Sequence, residues 1–185
     1  MGNKLLAHKR LLIAMAGLPG TGKSSIARQL ATRLHALVLS KDEIRAELFS
    51  NEQIDFSREQ DDLCMMVVYL IAGYLLRANP EQTIVIDGRT FSQSYQTEQL
   101  LSRAESFEVK PVIIECVCDD AVARQRLEND RRAGAHPAAN RTYKLYLDLR
   151  DKAEPINADR LLVDTGKESL KNSVDRCIAY LKNER

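Results

Sequence analysis

The sequence has no tryptophan, and aromatic residues make up only 5% of its 185 residues. Proteins that bind single-stranded nucleic acid commonly stack bases on aromatic side chains along a basic groove. Here 27 lysines and arginines are balanced by 26 aspartates and glutamates, which leaves a formal net charge of +1. This composition argues against a nucleic-acid partner and against attraction to an anionic membrane.

Patterns typical of metal sites, disulfide frameworks and membrane spans are also missing. The four cysteines form no CxxC pair and the three histidines are scattered, so no metal site is predicted. We expect reduced, buried thiols in a cytoplasmic protein without a secretory leader. The most apolar stretch, 64–76, is 13 residues long. It is too short to span a bilayer and is predicted to form a buried core helix.

Apolar segments and helical patterns alternate along the chain. The predicted strands cover 11–16, 36–39, 83–86, 109–117 and 160–163. The predicted helices cover 23–34, 42–49, 57–78, 94–106, 119 to about 132, 143–152 and 168–183. This alternation predicts a single α/β domain over 1–185, with a five-stranded parallel sheet and helices on both faces. Ligands of such sheets bind at the carboxyl ends of the strands, so polar residues there are the candidate functional residues.

The first such place is a glycine-rich loop, GLPGTGKSS, directly after the first predicted strand. It matches the phosphate-binding pattern GxxxxGK[ST], between a buried strand and a helix as that pattern requires. Lys23 is predicted to reach the β- and γ-phosphates of ATP or GTP, and Ser24 to bind Mg²⁺. The predicted nucleotide-binding residues of this loop are Gly17, Gly20, Thr21, Gly22, Lys23, Ser24 and Ser25.

Two further strand ends carry an acid followed by an arginine. Asp42 and Arg45 follow the second strand, three residues apart on one helix face. Asp42 there could accept the proton of an attacking hydroxyl, although the helix dipole alone also favours an acid in a first turn. Asp87 and Arg89 follow the third strand. Asp87 is a candidate for the metal or the acceptor, or a turn former, and Arg45 and Arg89 are candidate acceptor-binding cations.

The remaining candidates lie in the last third of the sequence. A basic segment with a short lid at about 131–141 could close over the phosphates, with Arg126, Arg131 and Arg132 as candidate catalytic cations. Which of the three acts is left open. Thr165 and Gly166 follow the fifth strand and could contact the nucleotide base, or could form an ordinary turn.

Four segments together resemble P-loop small-molecule kinases, a group that includes chloramphenicol phosphotransferase, zeta toxins and the polynucleotide kinase domain. The segments are GLPGTGKSS, KDEIR, VIDGRTF and RLENDRRAG. The resemblance implies a P-loop kinase fold with Asp42 as general base, Arg45 on the acceptor and Asp87 on acceptor or metal. Where many relatives continue the lid with Ser-Asp-Ala, this chain has Ala138-Ala139-Asn140, so the lid contacts and the acceptor do not follow from the resemblance.

The expected activity is transfer of the γ-phosphoryl group of ATP or GTP, with Mg²⁺, to a hydroxyl of a small molecule. Nucleoside-like compounds, sugars and antibiotics all remain open as acceptors, and an antibiotic-resistance kinase is among the expectations. The alternatives are a 5′-hydroxyl polynucleotide kinase, a zeta-type toxin, and a P-loop ATPase switch that is not a kinase. A switch GTPase would carry the base-reading NKxD motif, which this sequence lacks.

Overall fold

A computed structural model describes residues 10–134 and 140–184. Its strands are β1 (Leu11–Ala16), β2 (Leu37–Ser40), β3 (Thr83–Asp87), β4 (Pro111–Val117) and β5 (Arg160–Asp164). Its helices are α1 (Lys23–Leu34), α2 (Lys41–Leu48), α3 (Arg58–Ala78), α4 (Ser94–Ser106), α5 (Asp120–Ala133), α6 (Tyr143–Asp151) and α7 (Leu170–Asn183). Every predicted strand and helix is present, and their ends differ from the prediction by no more than two residues.

The five strands form one parallel sheet in the order β2-β3-β1-β4-β5. β1 is central, and the chain passes from it to β2 and β3 on one side and then to β4 and β5 on the other. The order therefore reverses around β1, and a crevice forms at the carboxyl ends of the strands beside it. The phosphate loop leaves β1 at this point, which confirms the predicted α/β fold and the position of the loop.

β1 is buried on both faces of the sheet, which explains why its sequence is continuously apolar. Leu12 and Ala14 point into a core that contains α3 and α4. Ile13 and Met15 point into the opposite core, which contains α1 and α7. A smaller third cluster joins α5 to α6 around Tyr146.

The prediction that residues 64–76 form a fully buried helix is wrong for one side of α3. Met65 and Val68 are buried in the core, but Leu70 is 67% exposed and Tyr74 is 66% exposed. The segment is uncharged throughout, so its sequence does not distinguish the inward face from the outward one. None of the helices in the described ranges is both long and apolar enough to cross a membrane.

The starts of α2 and α5 differ in whether a side chain caps the helix. Ser40 caps α2 by accepting a hydrogen bond from the Glu43 amide. Asp119 occupies the cap position of α5, but its side chain accepts no capping hydrogen bond.

All four cysteines are unpaired, and burial raises the pKa of Cys116 and Cys177 to about 12. Cys118 is only partly buried.

Gly73 on α3 gives a stability prediction because a Cβ atom there would lie 2.4 Å from the ring of Phe107. Phe107 is buried at the end of α4 and has little room to move. We expect Gly73→Val to lower the free energy of unfolding by about 1–3 kcal/mol, the usual cost of overpacking a core. Urea denaturation measures this loss, with Ser102→Ala on the exposed face of α4 as the control. Equal midpoints for Gly73→Val and wild type would show that the ring adapts.

Candidate active site

The phosphate loop adopts backbone angles that only glycine takes readily. Gly17, Gly20 and Gly22 have φ angles of 129°, 82° and 83°. A Cβ atom on Gly17 would lie 2.3 Å from the carbonyl oxygen of Cys116, so β4 closely supports the start of the loop. The Gly17 amide donates to Thr90 O at 3.0 Å, which joins the loop to the segment after β3. The loop then enters α1, whose first amides and dipole favour an anion.

Lys23 begins α1 and is only 7% exposed. Its Nζ donates to Leu18 O within the loop at 3.3 Å. Burial lowers the pKa of this ammonium group, and the carboxylates of Asp87 and Asp42 partly oppose that effect. A buried cation that lacks an ion pair within the described residues is a strong site for phosphate oxygens, since the anion would replace the hydration that burial removed.

Arg126 and Thr165 hold the other side of the loop. The Arg126 guanidinium donates to Gly20 O at 3.3 Å, to Thr165 Oγ1 at 2.8 Å and to Thr165 O at 2.8 Å. The Thr165 hydroxyl donates to Thr21 O at 2.8 Å. Arg126 of α5 and the loop after β5 therefore fix the phosphate-loop backbone. Gly166 follows in that loop, where its amide donates to the Asp164 carboxylate at 3.0 Å.

Asp42 lies in a buried group of four charges at the start of α2. Arg45 donates to the Asp42 carboxylate at 2.8 Å and also bonds Asp61 of α3. Lys41 pairs with Asp61 at 2.8 Å and lies 3.6 Å from Asp42. The Arg45 guanidinium also lies 5.2 Å from the centre of the Phe56 ring. With two cations fixing its position, Asp42 presents its carboxylate in one orientation at the mouth of the sheet.

A second charged group surrounds Tyr95 on α4. Arg89 donates to the Asp62 carboxylate at 2.5 Å and to the Tyr95 hydroxyl at 3.3 Å. The guanidinium carbons of Arg89 and Arg58 lie 5.5 Å and 5.6 Å from the centre of the Tyr95 ring. Two guanidinium groups therefore share one aromatic ring, while Asp62 is the carboxylate paired with Arg89.

Asp87 and Ser24 can hold the magnesium ion that a nucleotide would bring. Asp87 is buried at the end of β3, and its Oδ1 atom has no hydrogen-bond partner in the described structure. A buried, unpartnered carboxylate oxygen beside Lys23 fits a hard cation, either directly or through its water shell. Ser24 offers its hydroxyl from the first turn of α1. These residues fit the Mg²⁺ that the phosphate-loop pattern implies.

The phosphate loop and both charged groups open into one pocket of about 350 Å³. That volume is within the range of small-molecule sites. The charged and hydroxyl-bearing residues that line it include Lys23, Ser24, Asp42, Arg45, Arg58, Arg89 and Arg141. The structure therefore brings Lys23 and Ser24 of the phosphate loop together with the predicted acceptor-binding residues Asp42, Arg45 and Arg89, whereas Asp87 and the phosphate-loop glycines do not line this pocket.

The two ends of the predicted lid differ in their distance from this pocket in the described structure. Arg131 and Arg132 are exposed at the end of α5 and do not line the pocket. Residues 135–139, in the middle of the predicted lid, lie outside the described ranges. Arg141 does line the pocket, and its charge contributes to the lowered pKa of Lys23. The catalytic roles of Arg131 and Arg132 stay predictions.

A family model described as an AAA domain matches residues 12–153, more than half of the chain. The match includes the phosphate loop, both charged groups and α5. The chain belongs to this family. Its P-loop fold and its resemblance to small-molecule kinases agree with the sequence-based expectation.

Curated relatives of this AAA domain include adenylyl-sulfate kinases. The enzyme of Bacillus pumilus is 27% identical over 187 residues, covering 96% of this chain and 87% of that protein. A probable bifunctional SAT/APS kinase 2 of Sorangium cellulosum is 26% identical over 177 residues. That alignment covers 92% of this chain but only 28% of the Sorangium protein, so the chain spans little more than a quarter of that relative's length.

Solved structures with the same fold include kinases for different small molecules. The APS kinase of Mycobacterium tuberculosis, in complex with AMPPNP and APS, has a TM-score of 0.68 at 19% identity. It covers 94% of this chain and 99% of the other. A gluconokinase of Sinorhizobium meliloti has the same TM-score at 15% identity and covers 94% and 92% of the two chains. At these identities the likeness establishes the fold.

The AAA domain contains site residues that the sequence does not reveal. Lys41, Asp61 and Asp62 form the ion pairs described above, and Arg58 and Tyr95 complete the second group. The segments around them follow no pattern that names a substrate. The two adjacent acids in the first turn of α3 were the available signal, but their partners are 16 and 27 residues away in the sequence.

Arg126 gives a test between support of the loop and direct catalysis. Arg126→Met removes the hydrogen bonds to Gly20 O and Thr165, so the loop loses its fixed shape. We expect the Kd for Mg-ATP to rise tenfold or more, because each of the three lost hydrogen bonds is worth ~1 kcal/mol and ~1.4 kcal/mol corresponds to a tenfold change. Isothermal titration calorimetry measures the Kd, with Arg124→Met, an exposed arginine on the same helix, as the control. An unchanged Kd with a reduced turnover would instead favour the predicted catalytic role.

Proposed function

We propose that this protein is a kinase that transfers the γ-phosphoryl group of ATP or GTP to a hydroxyl of a small molecule. The observation that carries the proposal is the shared pocket, which holds Lys23 and Ser24 of the phosphate loop together with Asp42. A nucleotide switch needs the phosphate loop and a group that positions water, but it does not need an open acceptor pocket beside that group. A kinase needs the pocket as well.

In the proposed reaction, the phosphate loop and Lys23 bind the triphosphate and orient its terminal phosphorus toward Asp42. Asp42 accepts the proton of the acceptor hydroxyl as the oxygen attacks in line. Arg45 and Lys41 keep that carboxylate in place. Mg²⁺ held by Ser24 and Asp87 would supply charge neutralisation at the phosphates. Arg141 lines the same pocket and pairs with Asp130 at 3.4 Å, so it is placed to contribute positive charge near the phosphates.

The similarity to known kinases supports phosphoryl transfer and leaves the acceptor open. The similar proteins include adenylyl-sulfate kinases and a gluconokinase, which share the fold but act on different molecules by name. Residues 12–153 carry the family match, and this range contains each residue of the proposed reaction. The class of acceptor must therefore be inferred from the residues that line this pocket.

Asp42→Asn tests the proposal because it keeps the size of the side chain and removes its ability to accept a proton. We expect phosphoryl transfer to fall by ~10²–10⁴-fold, the usual contribution of a general base. The Kd for Mg-ATP should change little. Mass spectrometry of a pooled set of hydroxyl acceptors measures transfer as a mass increase of one phosphoryl group. The pool holds nucleosides, sugars, sugar acids, nucleoside phosphosulfates, hydroxylated antibiotics and a 5′-hydroxyl oligonucleotide, each with ATP and with GTP.

Two controls separate the steps of this reaction. Lys23→Met should weaken both nucleotide binding and transfer, since the buried ammonium binds the phosphates. Glu47→Gln, an exposed carboxylate on the same helix as Asp42, should leave both unchanged. Full transfer by Asp42→Asn would remove the general base from the mechanism. Hydrolysis of ATP without any phosphorylated acceptor, and without a difference between Asp42→Asn and wild type, would contradict the kinase proposal.

A further inference from the structure

The group around Tyr95 contains more positive charge and more hydrogen-bond donors than its neighbours satisfy. Arg89 is 2% exposed, yet its Nε and Nη1 atoms have no hydrogen-bond partner in the described structure. These atoms carry three of the five N–H donors of a guanidinium group. Buried donors of this kind are normally paired, so three unused N–H donors on a residue that lines a pocket indicate a missing acceptor group.

The charges of this group point to an anion. Arg58 and Arg89 bring two positive charges to the Tyr95 ring, and Asp62 pairs with one of them. Arg58 forms no ion pair with any residue in the described ranges. Its side chain is exposed and lines the same pocket as Arg89. The neighbouring Arg45 also has an Nε without a hydrogen-bond partner in the described structure, but its charge is balanced by two carboxylates, Asp42 and Asp61.

From this contrast we infer that Arg58 and Arg89 form an anion subsite, separate from the phosphate loop, for a carboxylate, phosphate or sulfate group of the acceptor. This inference rests on the proposed kinase function and names the class of its substrate: an anionic molecule with a free hydroxyl. The anion binds at the Tyr95 group while the hydroxyl reaches Asp42. The planar guanidinium of Arg89 suits the paired oxygens of all three anions.

A second unpaired atom supports this orientation of the acceptor. Gln96 follows Tyr95 on α4 and lines the pocket, and its Oε1 is buried without a hydrogen-bond partner in the described structure. An amide oxygen accepts a hydrogen bond from a hydroxyl but repels an anion. The wall therefore combines donors for an anionic group with an acceptor for a neighbouring hydroxyl, as a polyhydroxylated acid or a sugar phosphate would require.

Anion binding is tested directly, apart from phosphoryl transfer. The phosphate loop is first saturated with Mg-AMPPNP so that it cannot take up the probe. The protein is then titrated with sodium sulfate, methylphosphonate or acetate at constant ionic strength, and the melting temperature is followed. We expect a saturable rise in wild type for at least one anion, with an affinity that falls ~10-fold or more in Arg58→Met. The control Arg103→Met, an exposed arginine on α4, should match wild type.

Arg89→Lys and a matched pair of acceptors complete this test. Arg89→Lys keeps the charge and the Asp62 partner but loses the planar donor edge, so it should fold and bind the anion more weakly. Transfer should favour gluconate over glucitol, or adenosine monophosphate over adenosine, and Arg58→Met should reduce that preference. Equal anion affinity in wild type and Arg58→Met overturns the subsite, whatever the transfer assay gives. Anion binding that depends on Arg58 without any transfer overturns the kinase proposal and leaves the subsite standing.

An independent observation concerns the outward face of α3. Its large exposed apolar residues are Leu63, Met66, Leu70, Ile71 and Tyr74. Leu63, Met66, Leu70 and Tyr74 lie on one side of the helix because their spacing of three or four residues follows the helical period, and Ile71 borders that side three residues before Tyr74. No charged residue occurs between positions 63 and 76. A continuous apolar face of this kind is the usual mark of an interaction surface.

Charges at the two ends of this face specify the partner. Glu59 lies at its amino-terminal end and Arg77 at its carboxyl-terminal end, and both are exposed without an ion pair in the described ranges. An antiparallel second copy, related by a two-fold axis near position 68, places Arg77 against Glu59 of that copy and Leu70 against Met66. The five apolar side chains expose on the order of 500 Å², which approaches the ~800 Å² per partner of a standard interface. We propose that the α3 face is the interface of a two-fold dimer.

Charge reversal tests this dimer in the full chain. Multi-angle light scattering should give the mass of a dimer for wild type and of a monomer for Leu70→Glu, whose exposed position leaves the fold intact. Glu59→Arg and Arg77→Glu should each weaken the dimer, and the double variant should restore it, since each swapped charge meets its new partner across the axis. Arg28→Glu, exposed on α1, is the control. A monomeric wild type, or a dimer that survives Leu70→Glu, overturns the proposal.

Discussion

The buried ammonium group of Lys23 is the interaction on which the site depends. Removing a cation from water is costly, and the Leu18 carbonyl is a weak substitute for the lost hydration. Binding of an anion offsets this cost, because the phosphate-loop amides, the α1 dipole and Lys23 converge on the space that the anion fills. Gly17 can approach the Cys116 carbonyl only because it lacks a side chain, so the shape of the loop and the burial of the cation are set together.

Charge balance also explains the two groups on the acceptor side. The Asp42 group pairs two cations with two carboxylates, so it can stay buried without a ligand and hold a reactive carboxylate still. The Tyr95 group has two guanidiniums and one paired carboxylate, so it is complete only with a further anion. The Asp42 group therefore favours a fixed geometry of its carboxylate, and the Tyr95 group favours the binding of an anion.

The sequence predicts those parts of the site that depend on local geometry. The phosphate loop is a contiguous pattern, and Asp42 and Arg45 are three residues apart on one helix, so both follow from short spacings. The contacts of Arg126 with Thr165 and of Arg89 with Asp62 join residues 39 and 27 positions apart. The order of the strands in the sheet brings these pairs together. The alternation of helices and strands along the sequence does not determine that order.

The sequence also did not predict the exposed outward face of α3, because the exposed residues of this helix are as apolar as its buried ones.

α3 connects these features physically. Its amino-terminal end supplies Asp61 to Arg45 and Asp62 to Arg89, while Met65 and Val68 on its inward face belong to the core shared with β1 and β3. A shift of this helix along its axis would move both carboxylates relative to the arginines they hold. Any contact that fixes the outward face of α3 therefore also restrains the acceptor pocket, because a continuous helix transmits displacement along its length. Dimerisation through this face would thus reduce the freedom of the acceptor site without contributing a residue to it.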